Sequence, residues 1–228
     1  MKKKILALIP ARGGSKRLPH KNIKDFCGKP LVSWTIEQAF SSRFIDKVVV
    51  STDDEEIASV ARNYGAEIPF LRSKELANDD SPIIDTIIQS INWFKKRNES
   101  FDILILLQPT SPLRSFNDID KCIEIYLNEK PSSIISVSEE KKHLSMFFKI
   151  DNGYLESLLN DFRFKDLPNI FTPNGAIFVS SVNNICKSKS FYKGNILPYI
   201  MPSERSIDID YEFDFKLSEF LMNEKRKE

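Results

Sequence analysis

An α/β fold, with a mainly parallel sheet flanked by helices, is what this sequence predicts, and three observations carry that reading. Strand-like and helix-like segments alternate from Lys3 to Ser138. Several of the strand segments are unbroken apolar runs, as strands covered on both faces require. The 228 residues are 41% hydrophobic and 29% charged, which suits one sizeable core. Parallel neighbours need crossovers, and the intervening helices supply them, right-handed, on both faces.

"KKILALIP" reads as the first buried strand. "PLVSWTIEQAFSS" follows as a helix, with Leu31, Trp34, Ile36, Ala39 and Phe40 at helical spacing behind a starting proline. "DKVVVST" is a strand and "DDEEIASVARNYG" a helix, its acids at the positive end of the dipole and Gly65 at its close. "AEIPFLR" is short and extended. "DSPIIDTIIQSINWFKK" is a long helix begun by Asp80, Ser81 and Pro82. "DILILLQPTSP" is a strand buried on both faces, "NDIDKCIEIYLNEK" a helix and "SSIISVS" a strand. The rhythm then breaks. "EEKKHLSMFFKIDNGYLESLL" reads as a hairpin turning at Asn152-Gly153, and residues 139 to about 171 as an excursion from the sheet. "GAIFVSS" returns as a strand, "ILPYIM" is a candidate strand, and "YEFDFKLSEFLMNEKRKE" closes as a helix.

Composition removes several classes of function. Lys+Arg number 33 against 32 Asp+Glu, so no overall field recruits nucleic acid or an acidic membrane. No stretch approaches the ~20 apolar residues of a membrane span. Cys27, Cys122 and Cys186 are odd in number, far apart and without CxxC spacing, which speaks against disulfides and zinc and fits a reducing cytoplasm. His20 and His143 are too few for a multi-histidine metal site.

Open parallel sheets bind ligands at the carboxyl ends of their strands, so the chemistry is sought there. The first strand runs into "PARGGSKRLPHKN", with five basic side chains (Arg12, Lys16, Arg17, His20 and Lys21) in ten residues. Glycines let backbone N–H groups approach an anion, and Arg12, Lys16 and Lys21 add charge, which makes this a phosphate loop by chemistry. It is neither GxxxxGK[ST] nor GxGxxG. "SIDIDYEFDF" places Asp208 and Asp210 on one face of an extended chain, about 7 Å apart. Two such carboxylates suit a hard divalent cation shared with substrate phosphates; an acid-rich helix start is the other reading. In "LLQPTSPLR", Gln108 is the first polar residue after an apolar run and is expected to face the cleft, while Thr110, Ser111 and Arg114 read as polar dressing on a rigid turn. Asn174-Gly175 reads as a turn into a strand and Asn22 as a helix-start residue.

Taken in order, "IPARGGSKRLPHKN", "GKPLVSWTIEQA", "VVVSTDDEEIA", "LLQPTSPLR", "PNGAIFVS" and "SIDIDYEFDF" resemble the acylneuraminate cytidylyltransferases, from Ile5 to about Phe215. The resemblance implies a Rossmann-like nucleotidyltransferase fold with a small inserted subdomain that forms a homodimer. It implies transfer of CMP from CTP to the anomeric hydroxyl of a nonulosonic acid, with Mg²⁺ and release of pyrophosphate. Arg12, Lys16 and Lys21 would hold the triphosphate beside the backbone of Ala11 and Gly13. Asn22, Arg72, Asp79 and Ser81 would read the nucleoside. Gln108, Arg163 and Asn174 would touch the sugar acid, with Phe191 and Tyr192 lining its pocket from the partner subunit. Asp208 and Asp210 would bind Mg²⁺. The departures fall on the sugar side: Phe164, Lys165, Thr172 and Met146 stand where the family pattern differs. A modified sugar such as a legionaminic-type acid therefore stays open beside sialic acid. Two alternatives remain: transfer to the eight-carbon acid Kdo, and a nucleotide-binding protein of this fold without catalysis.

Overall fold

The computed structural model describes residues 2–73, 81–142, 144–158 and 169–226. Strand β1 (Ile5–Pro10) leads through the basic loop and a small hairpin, β2 (Asp25–Phe26) and β3 (Lys29–Pro30), into helix α1 (Leu31–Ser41). Then come β4 (Lys47–Ser51), α2 (Glu55–Asn63), α3 (Ile83–Lys95), β5 (Ile103–Leu106), α4 (Phe116–Glu129) and β6 (Ser133–Glu140). The hairpin β7 (Phe148–Asp151) and β8 (Tyr154–Ser157) precedes β9 (Ile170–Ser181), α5 (Val182–Ser188), β10 (Ile196–Ile200) and α6 (Glu212–Lys225).

Six strands form the main sheet in the order β10-β6-β9-β5-β1-β4. Strand β1 pairs in parallel with β4 and β5, and β10 with β6, whereas β9 runs antiparallel to both of its neighbours. The alternation of side chains along β1 divides the core. Ile5, Ala7 and Ile9 pack with α1, α2 and α4, while Leu6 and Leu8 pack with α3 and α5 on the other face. That two-sided burial is why the sequence shows continuous apolar runs. A third cluster joins Leu18 of the basic loop, Phe26, Trp34, Ile209 and Phe215 and Met222 of α6. Burying a side chain such as Ile209 contributes about 1.5–3 kcal/mol, so the last helix fastens the basic loop and the aspartate segment to one support.

Local signals match the elements. Asp54 caps α2 by accepting hydrogen bonds from the Glu56 and Ile57 N–H groups, and Ser115 caps α4 in a capping box with Asp118. Asn152 and Gly153 take the positive φ values of 49° and 83° that a tight hairpin needs. Pairing between β6 and β9 persists to Glu140 and Ile170, so the two strands leave the sheet together and the excursion lies between them. Helix α5 escapes the periodicity reading because its seven residues, VNNICKS, span about two turns and offer only Val182 and Ile185 to the core.

Candidate active site

The loops after β1 and β5, Arg72, the start of α3 and Asp210 bound a cleft of about 670 Å³. Among the described residues its wall carries five cations, Arg12, Lys16, Arg17, Lys21 and Arg72, against one acid, Asp210. Such a surplus selects for an anion of several charges.

The basic loop is fastened at both ends. Its start continues the sheet, with Ala11 N donating to Ser51 O at 2.9 Å. Gly13 N donates to the Asp53 carboxylate at 3.1 Å, and a Cβ on Gly13 would lie 2.6 Å from an Asp54 oxygen, so only glycine fits there. Asn22 is buried, and its carboxamide N–H donates to Arg12 O at 2.9 Å. This bond ties the two ends of the loop. Lys21 Nζ donates to Ile209 O at 2.7 Å and to Asp210 Oδ1 at 3.3 Å, which couples the loop to the aspartate segment.

Arg72 enters the cleft from the extended segment beside β4, its N–H bonded to Thr52 O at 2.7 Å. Its guanidinium donates to Ser51 O at 2.7 Å and to Thr86 Oγ1 at 3.4 Å. Burial lowers its pKa first; Asp53 works against the shift and Arg12 adds to it. Two guanidinium groups facing one desolvated space are relieved by an anionic ligand.

Opposite stands the loop after β5. Gln108 and Thr110 line the cleft, with Thr110 Oγ1 3.5 Å from Gln108 Oε1. Arg114 is fully buried beneath them and donates to Gln108 O at 3.2 Å, Ala176 O at 2.8 Å and Thr35 Oγ1 at 2.5 Å. It is a brace for the Gln108 loop, which corrects its reading as turn dressing. Thr110 is corrected as well, since its hydroxyl also bonds the Asp208 carboxylate.

Because β9 runs antiparallel to β5, the residues before Ala176 lie beside those after Leu106. The ladder with β6 slips between Ile135 and Val137, and Asn174-Gly175 fall in that irregularity. Asn174 is buried, and its carboxamide is fully engaged: the oxygen accepts from Ser136 Oγ at 2.6 Å and Ala176 N at 3.2 Å. Its nitrogen donates to Ser206 Oγ at 2.9 Å and contacts Met201 Sδ at 3.3 Å. Gly175, at φ +73°, brings the backbone up against Gln108 and Asp208.

Asp208 and Asp210 flank the buried Ile209, whose N–H donates to Thr110 O at 2.8 Å. Asp208 remains open to solvent, yet it lies close against Gly175 and the Thr110 side chain. The partial loss of water raises its pKa, the Thr110 hydrogen bond opposes the shift, and the charge of Asp210 adds to it. Asp210 Oδ2 accepts from Arg17 NH1 at 2.8 Å. Two mutually repelling carboxylates with hard oxygen donors fit a divalent cation, whose charge would relieve them. Among the described residues no group of three or more acidic, histidine or cysteine side chains gathers as a metal site, so this pair would share a cation with the substrate phosphates.

Thus Arg12, Lys16, Lys21, Asn22, Arg72, Ser81, Gln108 and Asp210 line one cleft, with Asp208 beside it. Phe191 and Tyr192 do not line it: they pack on Phe178 of β9, with ring centroids 5.3 and 6.3 Å away. Asp79 and Arg163 lie outside the described residues. Arg17, Thr86 and the Asp118–Arg205 pair were not anticipated as site elements. Asp118, at the start of α4, is buried and accepts from Ser115, from Tyr199 OH at 2.9 Å and from Arg205. Burial alone would raise its pKa, but these hydrogen bonds and the Arg205 charge hold it below the usual carboxylate range. The pair anchors the turn that leads into Ser206 and Asp208.

A family model described as "Cytidylyltransferase" matches residues 6–192. The chain belongs to the cytidylyltransferase family. It is a nucleotidyltransferase. It is 41% identical over 226 residues to a CMP-N,N'-diacetyllegionaminic acid synthase of Legionella pneumophila, covering 96% of both chains. A pseudaminic acid cytidylyltransferase of Campylobacter jejuni is 30% identical, again over 96% of both. An N-acylneuraminate cytidylyltransferase of Escherichia coli is 34% identical; all of this chain matches, spanning 54% of that protein's length. In fold, the chain is similar to a CMP:2-keto-3-deoxy-manno-octonic acid synthetase complexed with CTP, with a TM-score of 0.74 over 97% of this chain and 17% identity. No helix among the described residues is long and apolar enough to cross a membrane.

Proposed function

We propose that this enzyme joins CTP to the anomeric hydroxyl of a nonulosonic acid, giving the CMP-sugar and pyrophosphate, with a diacetylated legionaminic-type acid as the first candidate substrate. The observation that carries the reading is the union of a polycationic loop, Asp210 and the Gln108–Thr110 wall in one cleft, with Asp208 at its side, in a chain 41% identical to a CMP-N,N'-diacetyllegionaminic acid synthase.

Arg12, Lys16 and Lys21 hold the triphosphate, and the backbone N–H groups of the glycine loop add donors. Arg72 and Ser81 bound the nucleoside end. The anomeric oxygen attacks the α-phosphorus in line, and negative charge grows on the departing pyrophosphate. The loop cations stabilise that charge, each such group being worth about 3 kcal/mol in the transition state. Asp208 and Asp210 would hold Mg²⁺, which when bound offsets phosphate charge and lowers the pKa of a hydroxyl bound to it. Gln108, with its backbone held by Arg114, orients the sugar acid on the far wall.

A second copy of the chain belongs to this reading. What supports it is the β7–β8 hairpin, where Ile150, Tyr154 and Leu155 are each more than 70% exposed. An apolar hairpin of that kind calls for a partner. Sedimentation should give a dimer that weakens on Ile150→Asp.

The test of the function is pyrophosphate release with CTP and Mg²⁺, across diacetyllegionaminate, N-acetylneuraminate, pseudaminate and Kdo, each with an EDTA control. Release with a nonulosonate, abolished by EDTA, is the expected result. Release with Kdo alone would replace the substrate class, and CTP binding with silence on all four would favour a non-catalytic protein.

A further inference from the structure

Arg17 lines the cleft and, like Lys21, reaches onto the aspartate segment. Its NH1 donates to Asp210 Oδ2 at 2.8 Å, and its guanidinium stacks over Tyr211, 5.2 Å from the ring centroid. Asp210 is also held by Lys21. The two cations differ in how firmly they are fixed. Lys21 is 12% exposed at its side chain and has a second acceptor in Ile209 O, whereas the Arg17 side chain is 58% exposed. An ion pair so open to water is weak, so the Arg17 bond is the one that yields.

We propose that Arg17 pairs with Asp210 until a divalent cation binds there, and is displaced by that cation when the substrate complex forms, moving to the triphosphate. The inference rests on the assignment of Asp208 and Asp210 as metal-holding residues. The physics is a charge swap. A divalent cation at Asp210 satisfies the carboxylate and repels the guanidinium. The nearest demand for positive charge is then the phosphate chain held by Arg12 and Lys16, and a guanidinium meets phosphate oxygens through paired N–H donors. The free enzyme thereby avoids two bare, repelling carboxylates, and the loaded enzyme gains one more phosphate contact. Metal and nucleotide binding become coupled, because each removes an obstacle to the other.

Three readouts test it. Mn²⁺ binding to the free protein, followed by the EPR signal of unbound Mn²⁺, should tighten about two- to fivefold in Arg17→Gln, the range open to an exposed ion pair. KM for CTP should move the opposite way, rising about tenfold or more, because a charge-assisted contact is lost. In protein labelled with 3-fluorotyrosine, the ¹⁹F resonance absent from Tyr211→Phe should shift when Mg²⁺ is added to wild type, and by less in Arg17→Gln, where no guanidinium leaves the ring. Unchanged or weaker Mn²⁺ affinity in Arg17→Gln, or an immobile Tyr211 resonance in wild type, would overturn the exchange while the metal site stands. Wild-type Mn²⁺ binding in both Asp208→Asn and Asp210→Asn would overturn the metal assignment and the exchange with it.

Discussion

Replacing Gly175 by alanine isolates what the β9 irregularity contributes to catalysis. The residue sits at φ +73°, where an L side chain costs about 1–2 kcal/mol. For a domain of this size that corresponds to a fall in Tm of about 2–8 °C. The added Cβ would lie 2.8 Å from Gln108 Oε1 and 3.3 Å from Asp208 Oδ2. Gln108 Oε1 ends a flexible side chain, so it moves and the backbone stays. Reaching an ordinary contact of 3.4 Å from 2.8 Å takes a shift of at least about 0.6 Å. Misplacement on the scale of 1 Å costs on the order of 100-fold, so kcat/KM for the sugar acid should fall roughly 10- to 100-fold, with KM for CTP little changed. Steady-state pyrophosphate release, with each substrate varied in turn, separates the two. Gly65→Ala is the control: it has φ +87° and meets only the Phe40 ring at 3.5 Å, far from the cleft. It should lose similar stability and keep its kinetics. A folded Gly175→Ala with wild-type sugar kinetics would refute the role given to Gln108 and the β9 turn.

Asp208→Asn and Asp210→Asn should each lower turnover roughly 100-fold or more at saturating Mg²⁺. Asp208→Asn should also raise Tm at neutral pH in the absence of ligand: the raised carboxyl pKa means that the fold binds more protons than the unfolded chain, so wild-type stability falls as pH rises through that window. Thermal shift across pH, with and without the substitution, reads this directly. Asp118→Asn breaks a buried pair with Arg205 and should cost about 3 kcal/mol. The loss corresponds to about 6–12 °C in Tm. Because the Asp118 pKa is lowered, the wild-type advantage is full above the ordinary carboxylate pKa and disappears as pH falls through the folded value, which acid-denaturation curves of the two proteins should record. CTP at 100 times its Kd should add about 2.7 kcal/mol to the unfolding free energy, and calorimetry that shows no stabilisation would count against a nucleotide cleft.

The sheet was legible in the sequence because burial on both faces leaves no ambiguity in runs such as ILALIP and ILIL. The charged wall was legible for a related reason, since the cations of the first loop are contiguous in the chain. Arg17 was visible among them, but its role was not, because its partner Asp210 is 193 residues away. Arg114 and Asp118 were hidden in another way. A polar residue in a turn reads as exposed, and only the packing of α4 against β9 and β10 turns these two into buried anchors. Helix α5 is too short for its two core residues, Val182 and Ile185, to set a period, and its cap, Ser181 accepting from Asn184 N, is indistinguishable from a turn in one dimension.

The amides and the ions of the site have divided the work according to their chemistry. Asn22 and Asn174 each carry donors and an acceptor, so they can satisfy buried partners of both kinds. The fold consumes them in this way: Asn22 closes the basic loop on Arg12 O, and Asn174 ties Ser136 to Ser206. Arginine and lysine can only donate. Arg114 serves the buried carbonyls, while Arg12, Lys16, Arg17, Lys21 and Arg72 line the cleft. Asp208 and Asp210 can only accept while ionised, and they sit at one edge of that donor surface. A ligand that satisfies the whole arrangement must be strongly anionic along most of its length and bring a cation to one end. A simple sugar carboxylate meets the first demand poorly and the second not at all. A triphosphate with its divalent metal meets both, which supports the proposal that the nucleotide takes the cleft's main length and leaves the sugar acid the shorter wall of Gln108 and Thr110.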